Sequence, residues 1–213
     1  MKSKAITLCL IYLTGLSVVF AQQTVNTKDY RYLFPEPISG WSASDVIVVF
    51  AKDNNKAKHG KIISLTRKYH TQLEADALTI YIIPLDYSLL SYTDKRAEQG
   101  TFELLGDNGY TQVSYNKVNY KSLTGVKYAE NKNLVFKFFI YYSCLSGTLT
   151  FKTNSSGNSE KYVSAYLDRI DLNAIRSFVD KENKELNDMI KEMGKNVEII
   201  IDSSDLDVYD GMW

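Results

Sequence analysis

The chain has 213 residues, with 25 basic and 25 acidic side chains, 16 tyrosines and two cysteines. That even balance argues against nucleic-acid binding, which works by neutralising a row of phosphates with clustered basic side chains. A chain of this length buries about 70% of the surface its unfolded form exposes, so a core without covalent staples is within reach.

Lys2 and Lys4 open the chain, an apolar run follows from Ala5 to Phe20, and Val19-Phe20-Ala21 supplies the residues that a signal peptidase reads. Residues 1–21 are therefore expected to be a secretory signal, cleaved to leave Gln22. The apolar run is too short for the roughly 30 Å hydrocarbon core and no basic stop-transfer cluster follows it, so no transmembrane segment is expected after cleavage. Cys9 lies inside the run without small residues before it, which argues against a lipid anchor. Cleavage removes Lys2 and Lys4 and no acidic residue, leaving 23 basic against 25 acidic, a formal charge of −2. Cys144 is then the one cysteine left, and an intramolecular disulfide has no partner for it.

Residues 22–29 are polar and read as a disordered N-terminal segment. Between Tyr30 and Trp41, Pro35, Pro37 and Gly40 force an extended, turning path flanked by aromatic residues, which reads as the entry to the domain. Trp41 beside that turn is either an anchor against the core or part of a binding loop. From Asp45 the dominant period is two. Val46 to Phe50 is apolar throughout, and Ile63, Leu65 and Tyr69 alternate with Ser64, Thr66 and Lys68, with Arg67 the exception on the inward row. A charged segment from Lys52 to Lys61 separates these two strands. Leu78 to Ile83 is a third, stopped at Pro84. Asp86 can cap a helix with Leu89, Leu90 and Ala97 on one face and Gly100 at its end.

Phe102 to Leu105, Asp107-Asn108-Gly109 and Tyr110 to Tyr115 read as a hairpin, because Asn-Gly tolerates positive φ. Strands at Ser122 to Tyr128, Leu134 to Tyr142 and Gly147 to Thr153 follow. The second of these is apolar or aromatic everywhere except Lys137, and a strand apolar on both sides needs cover on both faces, which marks it as central. After a polar turn the period shifts to 3.6: Tyr162, Val163, Tyr166, Leu167 and Ile170 share one helical face, and Leu172, Ile175, Phe178, Val179, Leu186, Met189, Ile190 and Met193 another. Asp171 suits the N-cap and Gly194 the C-terminal end of that second helix. Val197 to Ile201 could add an edge strand before an acidic tail. The expectation is an α+β fold, a mostly antiparallel sheet of about six to eight strands packed against two C-terminal helices, in a single domain over residues 30–193 with an extension over 194–213.

Chemistry is sparse. The histidines are His59 and His70, and a buried thiol is the ordinary role for a residue placed like Cys144. No nucleophile elbow, zinc-protease, phosphate-loop or dinucleotide signature is present. Asp202, Asp205, Asp207 and Asp210-Gly211 do not match a calcium loop, since Gly211 is seventh counting from Asp205 and the required twelfth-position Glu has no counterpart. Neither a metal nor a cofactor is expected, and no catalytic residue is assigned. Tyrosine is the compositional excess, suited both to a half-buried sheet and to a face for sugars or peptides. The candidate ligand-binding residues are Trp41, Tyr110, Tyr115, Tyr128 and Tyr141.

Phe34-Pro35 followed by Gly40-Trp41, the strand pair at 61–83, the later hairpins and the closing segment Tyr166-Leu167-Asp168-Arg169-Ile170-Asp171-Leu172 resemble small exported bacterial proteins that open with a Pro…Gly-Trp signature. Their layout is similar to the PsbP-like fold, an antiparallel sheet flanked by helices. The resemblance covers roughly residues 30–180 and implies no catalytic residues. The expected function is that of a non-catalytic exported envelope protein, periplasmic or secreted, that binds a protein partner or serves an assembly. The alternatives are a small-molecule or glycan binder using a tyrosine-rich face, and a hydrolase whose carboxylates are gathered by the fold.

Overall fold

Alternation with a period of two sends successive side chains to opposite faces of a strand. The computed structural model describes residues 22–51, 61–72, 76–86, 97–106, 109–140, 147–154, 157–184 and 188, and there this pattern generates ten strands. They are β1 (Gln22–Thr27), β2 (Trp41–Ala43), β3 (Val46–Ala51), β4 (Ile62–Thr71), β5 (Ala77–Ile83), β6 (Gln99–Gly106), β7 (Gly109–Tyr120), β8 (Leu123–Glu130), β9 (Asn133–Phe139) and β10 (Thr148–Asn154). Two helices follow, α1 (Ser159–Leu167) and α2 (Leu172–Glu182). Every strand pairing is antiparallel.

The spatial order β1-β3-β4-β5-β10-β9-β8-β7-β6 joins two meanders along one seam, with β2 continuing the β3 line against β4. After β5 the chain goes to the far edge, and β6 to β10 then step back strand by strand until β10 pairs with β5. Two of the returning hairpins close with two-residue turns, at Lys121-Ser122 and at Asn131-Lys132. Lys121 (φ 52°) and Asn131 (φ 54°) take the left-handed conformation there, which primed hairpin turns require of their first residue.

Strand interiors decide where the core sits. Leu65, Leu78, Ile80, Ile82, Phe136, Phe138, Leu149 and Phe151 project to one face and meet Val163, Tyr166, Leu167, Ile175, Phe178 and Val179 from the helices. Asp171 caps α2, its carboxylate accepting from the backbone N–H of Asn173 and Ala174 at 2.9 and 3.1 Å. The far end of α2 is tied down as well, with Asn183 Nδ2 donating to Pro84 O at 2.6 Å. On the opposite face, Phe102, Tyr115, Val126, Tyr128, Val135 and Phe139 form a smaller second core under β6 to β9. β9 contributes to both, and Val135 through Ile140 are all buried, as a central strand must be. Among the described residues, no helix is long and apolar enough to cross a membrane.

Three expectations change. The sheet has ten strands where the pattern predicts six to eight, because short edge strands such as Trp41–Ala43 are held by backbone pairing and carry little periodic signal. Gln22–Thr27, expected to be disordered, pairs in register with β3, whose apolar edge accepts any extended segment through main-chain hydrogen bonds. Gly100, expected as a helix end, lies inside β6, where the Tyr115 ring packs so closely that a Cβ would collide with its hydroxyl. Leu89 and Leu90, Leu186, Met189, Ile190, Met193 and Gly194, Val197 to Ile201 and the acidic tail lie outside the described residues.

Candidate functional site

The charged residue on the inward row of β4 fixes the entry segment. Arg67 is 2% exposed and donates from Nη1 to Pro35 O at 3.1 Å and from Nε to Ser44 O at 3.2 Å. Its guanidinium also lies over the Tyr69 ring at 5.4 Å, and Tyr69 donates its hydroxyl to the same Pro35 carbonyl at 2.8 Å. Trp41 then packs edge-on against Tyr162 and Tyr166 of α1, with ring centroids 4.8 and 5.9 Å away. The Pro35 to Trp41 turn is thereby clamped between sheet and helix, and Trp41 is half-buried in the clamp.

Burial pushes the Tyr166 phenol up to about 12, and raises Tyr69 further, against the opposing pull of Arg67. A phenol that holds its proton more tightly when folded contributes stability in full below its ordinary pKa of 10.0, and loses it as pH rises through the folded value. The free energy of unfolding is therefore expected to fall between pH 10 and about 12. Urea titrations across that range should show a shallower fall in Tyr166→Phe.

A second cluster lies on the face away from the helices. Lys137 of β9 places Nζ 3.0 Å from Asp86 Oδ2, and the two side chains are only 9% and 6% exposed. Thr148 of β10 donates its hydroxyl to the same oxygen at 2.8 Å. Thr150, two residues along that strand and the cross-strand partner of Lys137, is buried with no hydrogen-bond partner for its hydroxyl among the described residues. Reading the sequence missed this group as a unit. The available signal was Lys137 itself, alone and charged in an apolar run; Asp86 and Thr148 join it only through the pairing of distant strands.

The third place is the far edge of the sheet. Among the described residues β6 pairs with β7 alone, so its outer backbone groups face away from the sheet. A groove of about 500 Å³ lies across β6, β7 and the end of β8, lined by Leu104, Gln112, Val113, Ala129, Glu130 and neighbouring residues. Tyr110, at the start of β7, is 72% exposed.

The five predicted ligand-binding residues are not brought together. Trp41 belongs to the clamp on the helical side. Tyr115 and Tyr128 are 1% and 7% exposed in the second core, where both pack against Phe102, whereas Tyr110 presents its ring to solvent. Tyr141, Cys144 and His59 lie outside the described residues. His70 is half-buried, its Nδ1 3.1 Å from Thr71 O. No group of three or more His, Cys, Asp or Glu is placed to hold a metal among the described residues. No family model matches the chain, and no curated protein or solved structure matches it either.

Proposed function

We propose that the chain is a non-catalytic exported protein, periplasmic or secreted, that acts by binding a partner protein in an accessory or assembly role. The observation that carries this is that β6 pairs with β7 alone among the described residues, with Tyr110, 72% exposed, on the neighbouring strand. An unpaired strand edge supplies a row of main-chain donors and acceptors, and an extended partner segment satisfies them by adding a strand, with side-chain pockets giving selectivity. Glu103, exposed at the middle of β6, favours a Lys or Arg on that segment. Export rests on the basic start, the apolar run and Val19-Phe20-Ala21. The likeness to PsbP-like proteins, which is one of layout, belongs to the same proposal. The tyrosine-face alternative is less favoured, because Tyr115 and Tyr128 are occupied in packing.

Photo-crosslinking residues placed at Thr101 and Tyr110 are expected to capture an envelope protein, while the same residue at Lys161 on α1 captures none. Glu103→Lys combined with Tyr110→Ala should lower the Thr101 adduct about tenfold, the scale of one interface anchor, without moving the melting temperature. Equal adducts from α1 and β6 would remove the β6 edge as the binding surface.

A further inference from the structure

Cleavage after Ala21 would turn the first residue of β1 into the chain terminus, and that residue is a glutamine. We propose that the exported chain is closed at Gln22 as a pyroglutamyl lactam, an inference that rests on the export reading. The freed α-amine attacks Cδ of the same residue; the N–Cδ bond forms, the Cδ–Nε2 bond breaks, and the amide nitrogen leaves as ammonia with the proton the amine gives up. No oxidant or co-substrate is required, because nucleophile and electrophile belong to one residue and a five-membered ring brings them together.

The place of Gln22 in the fold gives the reaction a consequence. Gln22 is the first member of a ladder among the described residues, paired with Ala51, and Thr27 at the other end of β1 pairs with Val46. β1 therefore has no spare residues in front of it on this reading, and each residue trimmed by an aminopeptidase removes one step of cover from the β3 edge. Exported proteins meet such peptidases, and among the described residues β1 is bonded to β3 alone. The lactam removes the amine on which those enzymes act. It keeps one N–H on the ring nitrogen and the α-carbonyl, so the donor and acceptor that a ladder position uses are both retained. The positive charge that a free terminus would bring to the end of an edge strand is lost as well.

The full chain would be expressed in an exporting Gram-negative host and recovered from the periplasm for intact-mass measurement and stepwise N-terminal sequencing. The expected mass is that of Gln22–Trp213 less one ammonia, with sequencing blocked until pyroglutamyl peptidase exposes Gln23. A Gln22→Ala chain should be readable from its first residue and should lose residues of β1 to an aminopeptidase that leaves the wild type intact. The unreduced mass of Gln22–Trp213 with a readable Gln22, persisting after long incubation at neutral pH, overturns the lactam and leaves export standing. A mature chain that begins at any other residue, or a chain retained uncleaved in the cytosol, overturns the export reading and the lactam with it.

Discussion

Lys137→Met is expected to lower the free energy of unfolding by about 3–5 kcal/mol, read as a shift in the urea midpoint of the mature chain. Methionine fills much of the lysine volume, so a packing defect is not the main cause. The cause is electrostatic: Asp86, 6% exposed, loses the ammonium 3.0 Å from its Oδ2, an oxygen that also accepts from the Thr148 hydroxyl at 2.8 Å. A carboxylate left in a site that water does not reach is far costlier than an exposed one, for which the same substitution costs at most about 1 kcal/mol. Asp86→Leu should cost a similar amount by taking the carboxylate away from an ammonium whose side chain is 9% exposed. The double variant separates this account from one of packing alone. With both charges gone the desolvation penalty also goes, so Lys137→Met with Asp86→Leu should lie well above the sum of the two single losses. Strict additivity, or single losses under about 1 kcal/mol, would show that the pair is solvated and does not join β9 to the chain leaving β5.

How much of this could be read from residue order depends on the kind of information each feature uses. The strands β5 and β10, the central place of β9 and the Asp171 cap were all legible, because period and capping chemistry are local. Strand neighbours were not. β10 lies beside β5 although Ile83 and Thr148 are far apart in sequence, and no local pattern encodes that seam. For the same reason nothing local to Asp86 points to Lys137 and Thr148, which share its Oδ2.

Tyrosine shows the limit most clearly. Tyr110 and Tyr115 lie five residues apart on one strand, and alternation says that they face opposite ways. It does not say which side is covered. The ring suits both settings, so only the second core distinguishes the buried Tyr115 from the exposed Tyr110. Trp41 and Arg67 were each recognised as irregular in sequence, but the clamp they form depends on α1 arriving from the other end of the chain.

That clamp gives the second large effect, since Tyr166→Ala is expected to cost about 3–5 kcal/mol. Tyr166 is 0% exposed, its ring centroid is 4.6 Å from Tyr69 and 5.9 Å from Trp41, and its hydroxyl accepts from the Ile38 N–H at 3.5 Å. Truncation opens a cavity where β4, α1 and the entry turn meet, and three rigid neighbours cannot collapse into it without moving the backbone. Tyr166→Phe keeps the ring and gives up one long hydrogen bond, so it should cost under about 1 kcal/mol. The contrast assigns the effect to ring packing. A second readout locates it: with Trp213→Phe as background, Trp41 emission should shift to the red in Tyr166→Ala and stay unchanged in Tyr166→Phe. Val163 and Leu167 still hold α1 to the sheet, so far-ultraviolet circular dichroism should be retained in both variants. If the alanine variant unfolds within about 1 kcal/mol of wild type with Trp41 emission unmoved, α1 is not what pins the Pro35 to Trp41 turn. The Arg67 and Tyr69 bonds to Pro35 O would then have to hold that turn unaided.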